Sequence, residues 1–117
     1  MASQPIPDPA EKLARFPLEV RDAYRRYRES GSLADVHIVV LAVLRNHMPK
    51  RTEVELTDSM RLIEDLGFDS LAVAETVFFI EDLFQVRIET QELMTLRTVG
   101  ELREFIATKL GRKATAT

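Results

Sequence analysis

Apolar residues recur at intervals of three and four along most of this chain, and that spacing favours helical packing. In the clearest segment, a capping-box pattern at Ser32 and Asp35 precedes an apolar run that ends at Met48-Pro49. The apolar positions of the run are Leu33, Val36, Val39, Val40, Val43 and Leu44. Its stretch VHIVVLAVL would also suit a buried strand, but about 15 residues between cap and proline is long for one. The pattern therefore favours a helix and an all-α fold.

Two later helices show the same spacing. One follows Asp69, a residue type that caps helices, and runs to about Phe84. The other follows a capping box formed by Thr98 and Glu101, and Gly111 predicts its end. Their apolar stripes are Leu71, Ala74, Val77, Phe78, Ile80 and Phe84, then Val99, Leu102, Phe105, Ile106 and Leu110. A short helical turn is predicted between them, at residues 91–94.

The N-terminal part of the chain adds a helix of its own over residues 17–29. Pro17 suits a first helical turn, and Gly31 lies just beyond the end. The residues at near-helical apolar positions are Leu18, Val20, Tyr24 and Tyr27, whereas the polar side holds Arg21, Arg25, Arg26 and Arg28. The four arginines fit a contact with RNA or a membrane, or a solvated helix face, which is the commoner case.

These patterns divide the chain into four parts. We predict a flexible tail over residues 1–9, an extra helical segment over 10–31, a helical bundle over 32–111 and a second flexible tail over 112–117. The bundle has four helices, three longer and one short. Within it, residues 50–69 form a long loop, which needs apolar anchors of its own. The candidate anchors are Leu56, Leu62, Ile63 and Leu66.

The composition excludes several kinds of site. Without cysteine there is no disulfide, thiolate nucleophile or Cys-based zinc site. The two histidines, His37 and His47, project about 80° apart on one helix, unlike the i, i+4 pairs that bind metal. The longest apolar run, Ile38–Leu44, is far below the roughly 20 residues of a membrane span, and no secretory signal pattern opens the chain. We expect a cytoplasmic protein with no metal site.

Charge is distributed unevenly along the chain. Residues 53–92 contain eleven acidic and two basic side chains, whereas residues 1–52 and 93–117 each carry a net charge of +3. An acidic middle repels nucleic acid and attracts basic protein surfaces. The same pattern is also typical of a solvated acidic face, so by itself it does not establish a partner.

The segment DLGFDSL, residues 65–71, places one hydroxyl at the start of a helix. Gly67 predicts a turn before it, and Asp69 caps the helix that begins at Ser70. Backbone N–H groups at a helix start favour anions, so a phosphodiester on Ser70 would lie in a favourable field, tempered by the adjacent carboxylate. These physical features are equally those of a serine that only caps a helix.

The motif LGFDSL followed by an amphipathic helix resembles the phosphopantetheine attachment site of acyl carrier proteins. The resemblance extends from about Leu33 to Leu110 and includes LIEDLGFDS, SLAVAETVFFIEDLF, the linker QVRIETQEL and LRTVGELREFIATKL in the family's order. It implies an acyl-carrier-like four-helix bundle with an additional N-terminal helix. It also implies a monomeric carrier protein, not an enzyme.

The resemblance assigns roles to the residues of the motif. Ser70 would receive a covalent 4′-phosphopantetheine arm, transferred from coenzyme A by a phosphopantetheinyl transferase. Asp69 and Leu71 match the flanking motif positions and would help that transferase to recognise the site. Acyl intermediates would then travel as thioesters on the arm, between enzymes of fatty acid, lipid or polyketide-type biosynthesis.

The resemblance also suggests residues for partner contact on the helix after Ser70. Glu75, Glu81 and Asp82 occupy family positions that meet basic docking surfaces of acyl-transferring, ligating or condensing enzymes. Phe78 occupies a position that borders the acyl pocket, although an aromatic there is equally a core residue. Ala72 departs from the acidic residue usual in fatty-acid-synthesis carriers, and VFFIEDLF is more aromatic than their helix. These departures, with the extra N-terminal helix, favour a specialised carrier.

The sequence leaves two alternatives open. A helical interaction module could bind a basic partner through the acidic middle without any prosthetic group. A peptidyl or aminoacyl carrier would share the motif, although Phe68 stands where such carriers often have a second glycine. An enzyme with Ser70 as nucleophile is disfavoured because Phe68-Asp-Ser-Leu-Ala72 is not a G-x-S-x-G elbow and no strand precedes the serine.

Overall fold

The computed structural model describes residues 8–49 and 55–115, and these form one helical array. A 3₁₀ turn at Pro9–Leu13 is followed by α1 (Leu18–Ser30), α2 (Leu33–His47), α3 (Ser70–Phe84), α4 (Thr90–Leu93) and α5 (Val99–Thr115). No strand occurs in this part of the chain, apart from a single isolated bridge between Arg61 and Thr98. The predicted all-α fold is confirmed.

The N-terminal segment, residues 8–31, shares the core of the bundle. Its buried residues are Leu13, Val20, Ala23 and Tyr24, and they join one cluster with buried side chains of α2, α3 and α5. Gly31 turns the chain from α1 into α2 with a φ of 75°, a left-handed conformation that suits glycine. The arginines of α1 are largely paired: Arg26 binds Asp35, and Arg28 binds Asp8.

The carboxyl end of α3 shows how closely this segment is joined to the bundle. The last carbonyls of a helix have no partner within it and must find one elsewhere. The backbone N–H groups of Gln85 and Val86 donate to the Glu81 carbonyl, and the side chain of Gln85 donates to Asp82. The hydroxyl of Tyr24 donates to the Leu83 carbonyl at 2.6 Å, in a buried position. A side chain of α1 therefore helps to cap α3.

Local signals predicted most helix ends correctly. The Asp69 carboxylate accepts a hydrogen bond from the Ala72 N–H at 2.7 Å, which confirms it as an N-cap. Thr98 and Glu101 exchange reciprocal side-chain to backbone hydrogen bonds of 3.0 and 3.1 Å, so that capping box is confirmed. The helix that ends at His47 before Met48-Pro49 is also as predicted.

Three predictions about ends and caps were wrong. Gly111 does not stop the last helix, which continues to Thr115 because this glycine keeps a negative φ. The box at Ser32 and Asp35 makes no capping bond from Ser32; Asp35 is instead held by the Arg26 guanidinium, which lowers its pKa. The first tail prediction reached too far, since Asp8 caps the 3₁₀ turn that starts at Pro9. Residues 1–7 lie outside the described part.

The loop before α3 is held at both of its described ends. Leu62 and Leu66 are buried as predicted, whereas Ile63 is 55% exposed and is not an anchor. At the other side, the Gly100 N–H donates to the Asp58 carbonyl at 3.0 Å, and Arg103 donates to the Asp58 carboxylate. The part of the predicted loop at residues 50–54 lies outside the described residues.

We predict that Tyr24→Phe lowers the free energy of unfolding by about 1–2 kcal/mol, because the buried Leu83 carbonyl loses its donor. Urea denaturation followed by circular dichroism measures this. Tyr27→Phe is the matched control: its ring packs edge-on against Phe84, but its hydroxyl has no hydrogen-bond partner among the described residues. Equal effects of the two changes would contradict a specific role of the Tyr24 hydroxyl.

We predict that Gly100→Ala destabilises the protein by about 1–3 kcal/mol, although alanine is the better helix former. A Cβ at this position would lie 2.8 Å from the Asp58 Cβ and 3.1 Å from its carbonyl oxygen, so the loop would have to move. Gly111→Ala, where a Cβ meets nothing within 4 Å, should instead be neutral or stabilising. Thermal unfolding of both variants tests the contrast.

Candidate functional site

The hydroxyl of Ser70 stands exposed at the first residue of α3. It has no hydrogen-bond partner among the described residues, and the residues around it fix its position. Gly67 makes the turn with a φ of 77°, Phe68 is buried to 2% exposure, and Asp69 caps the helix. A buried aromatic two positions before the serine thus anchors the chain, while the serine itself stays accessible.

Two acidic residues brace the loop that leads to Ser70. The Arg61 backbone N–H and guanidinium donate to the Asp65 carboxylate, which lowers the pKa of Asp65. The Arg103 guanidinium similarly lowers the pKa of Asp58 and lies 3.0 Å from Nδ1 of His37. Burial and this neighbouring cation lower the pKa of His37, so it is neutral at pH 7. Much of the acidic middle is therefore paired within the molecule.

One surface stripe of α3 remains open to solvent. It consists of Leu71, Glu75, Phe78 and Asp82, which follow one another at helical spacing, and we call it the outer face of α3. Leu71 is 67% exposed and Phe78 is 58% exposed. Both had been predicted on the core stripe; the core side of α3 is instead formed by Thr76, Val77, Ile80, Leu83 and Phe84.

Glu81, a predicted partner-contact residue, points to the linker after α3. Its carboxylate accepts a hydrogen bond of 2.6 Å from the Ile88 N–H, and the side chain is half-buried. Ile88 itself is buried. The structure therefore brings together Leu71, Glu75 and Asp82 on one face and separates Glu81 from them.

A narrow apolar space lies under α3, between it and α2 and α5. Its walls are Leu44, Leu62, Phe68, Val73, Thr76, Val77 and Leu102, and it is too narrow to admit a water molecule. The hydroxyl of Thr76 donates to the Ala72 carbonyl, so the space presents almost only carbon. Phe78 does not line it. Val73 and Val77 lie three and seven residues after Ser70, so helical spacing alone could have indicated that they share a face of α3. Leu44 and Leu102 are distant in sequence, and only packing places them beside this space.

Both histidines of the described residues are engaged with groups other than Ser70. His37 is held by Arg103, and the Nδ1–H of His47 donates to the Val43 carbonyl while its ring meets Phe79 edge-on. Over the same residues, no group of three or more His, Cys, Asp or Glu side chains could hold a metal ion. None of the described helices has the length and apolar character that a membrane crossing requires.

Comparison with known proteins points to one family. Residues 42–106 match the family described as phosphopantetheine attachment site. The acyl carrier protein MbtL of Mycobacterium tuberculosis is 35% identical over 80 residues, which cover 68% of this chain and 94% of MbtL. Acyl carrier proteins of Thermotoga maritima and an Exiguobacterium species are 37% and 43% identical over 59 and 56 residues, covering 50% and 48% of this chain and 73% and 71% of theirs.

An exposed helix-start serine, an all-helical bundle and these similarities agree with one another. The match extends over more than half of the chain and includes the whole of the DLGFDSL segment. The chain therefore belongs to the acyl carrier proteins, which bear a covalently attached 4′-phosphopantetheine group and act as carriers rather than catalysts.

Proposed function

We propose that Ser70 is the attachment residue for the 4′-phosphopantetheine group. The observation that supports it best is the accessible Ser70 hydroxyl at a braced helix start, without a competing hydrogen-bond partner in the described structure. When bound, the group supplies the terminal thiol that the chain lacks, on which acyl groups are held as thioesters. The protein itself contributes position and recognition.

The residues next to Ser70 have separate tasks in this proposal. One carboxylate oxygen of Asp69 accepts the hydrogen bond from the Ala72 N–H, which fixes the start of α3. The remaining N–H groups of the first turn favour a phosphodiester near Ser70. Leu71, 67% exposed beside the serine, offers an apolar contact to the phosphopantetheinyl transferase.

The outer face of α3 is the proposed docking surface for enzymes that load, extend or unload the carrier. Phe78 and Leu71 supply its apolar contacts, and Glu75 attracts a basic residue of the enzyme. We propose acyl cargo rather than peptidyl or aminoacyl cargo because the relatives of this chain are named acyl carrier proteins. Cytoplasmic location and a monomeric state stay predictions from the sequence.

We further propose a specialised carrier within fatty acid, lipid or polyketide-type biosynthesis. Two of the aromatic residues that distinguish α3 pack against the N-terminal segment: Phe79 against Phe16, and Phe84 against Tyr24 and Tyr27. The aromatic helix and the extra segment are thus one feature of the molecule, which supports a dedicated set of partners.

We predict that Ser70→Ala abolishes phosphopantetheinylation and leaves stability nearly unchanged, since the residue is exposed. The purified chain is incubated with coenzyme A, Mg²⁺ and a broad-specificity phosphopantetheinyl transferase, and its intact mass is recorded. Ser59→Ala, which removes an exposed loop hydroxyl, is the control and should gain one group like the unchanged chain. A gain retained by Ser70→Ala would place the arm on another residue.

We predict that Asp69→Asn separates capping from recognition. Asparagine caps helices as well as aspartate does, so stability should hold, whereas Asp69→Ala should lose about 1 kcal/mol. Because the transferase is expected to recognise the carboxylate charge of Asp69, both variants should be modified more slowly, by a similar factor. Initial rates of modification and urea unfolding curves test this; a normal rate for Asp69→Asn would reduce Asp69 to a helix cap.

A further inference from the structure

The N-terminal segment places a lysine beside the outer face of α3. The Lys12 Nζ lies 3.5 Å from the Asp82 carboxylate and 5.1 Å from the centre of the Phe79 ring. The ring of Phe16, from the same segment, lies 6.0 Å from Phe79. His47 of α2 meets that ring edge-on at 5.2 Å. Phe79, which belongs to α3, thus contacts both the N-terminal segment and α2. Its ring also lies beside the Lys12 ammonium.

This contact changes the charge that α3 presents to a partner. Of its three carboxylates, Glu81 is engaged with the Ile88 N–H, and Asp82 is paired with Lys12. Glu75 is exposed and has no ion-pair partner in the described part of the chain. The outer face therefore presents one unpaired negative charge between two exposed apolar side chains, Leu71 and Phe78, and a neutral pair at its carboxyl end.

We propose that Lys12 is a specificity-determining residue, which screens Asp82 from enzymes that dock through a row of basic side chains. The favoured partner has an apolar surface for Leu71 and Phe78 and a single cation opposite Glu75. An enzyme with a second cation opposite Asp82 meets the Lys12 ammonium and gains less at that point. This inference rests on the proposed function, because it concerns how a loaded carrier is recognised.

The pair is suited to such a role because it is weak and local. Both side chains are substantially exposed, at 38% for Lys12 and 66% for Asp82, so their attraction adds little to folding. At a docking interface the same charges act chiefly on encounter and on the choice of partner. A change at Lys12 should therefore alter recognition without unfolding the carrier.

The test uses the full chain carrying its phosphopantetheine group. A fatty-acid-activating acyl carrier protein ligase with a basic docking surface loads it with octanoate in the presence of ATP and Mg²⁺. Lys12→Gln keeps an unbranched polar side chain and removes the charge. We expect it to lower KM about threefold with kcat unchanged, and high salt to abolish the difference. Lys12→Glu should lower KM further.

Control variants test whether the change in KM comes from the Lys12–Asp82 pair, and not from net charge or from unfolding. Arg25→Gln removes a positive charge from the same segment, where its partner is Asp22 on the same helix at 3.2 Å, and it should leave KM unchanged. Asp82→Asn should cancel the gain of Lys12→Gln when the two are combined. Thermal unfolding of all variants shows whether each is folded.

Two results would contradict these proposals, each a different one. A chain that takes up no phosphopantetheine contradicts the proposed function before this question arises. A chain that is loaded normally, but in which Lys12→Gln leaves KM unchanged or acts no differently from Arg25→Gln, overturns the role of Lys12 alone.

Discussion

The structure depends on α3 being buried on two sides while one stripe stays open. One side is buried in the common core through Val77 and Ile80, and another receives the aromatic residues of the N-terminal segment. What remains is the outer face, whose apolar members Leu71 and Phe78 are left in solvent. Exposed large apolar residues on a single stripe are more informative than the same residues scattered over a surface, because they mark a contact site.

The site itself is held by side chains that never reach it. The buried Phe68 side chain anchors the turn before Ser70. Asp58 accepts hydrogen bonds from Arg103 and Gly100 of α5, and Asp65 accepts one from the Arg61 N–H within the loop. These contacts fix the position of Ser70 relative to the bundle. The bracing also explains why the acidic middle of the chain, which carries a net charge of −9 over residues 53–92, presents few unpaired carboxylates near Ser70.

The N-terminal segment acts as part of the bundle. Tyr24 donates to the last turn of α3, and Leu13 and Val20 are buried in the common core. A segment bound this way changes the charge that α3 exposes, since Lys12 pairs with one of its carboxylates. The division of the chain at residue 31 remains a prediction about sequence organisation, and the packing continues across it.

Local chemistry determined what could be predicted from the sequence alone. The Asp69 cap, the Gly67 turn, the Thr98 and Glu101 box and the position of Ser70 depend on neighbours within a few residues, so their patterns were sufficient. Apolar spacing wrongly placed Leu71 and Phe78 on the buried face of α3. Periodicity identifies an apolar stripe, but it does not show whether another element of the fold covers that stripe. The DLGFDSL motif indicated the acyl carrier family, and the comparisons show that the chain belongs to it.

The tertiary structure alone decided the rest. Asp35 pairs with Arg26, the Glu81 carboxylate accepts a hydrogen bond from the Ile88 N–H, and Lys12 pairs with Asp82, 70 positions away along the chain. In each case, only packing brings the two groups within a few ångströms of each other. The sequence by itself thus determined the helices, the attachment motif and the family, whereas the folded chain decided which charges remain available to a partner.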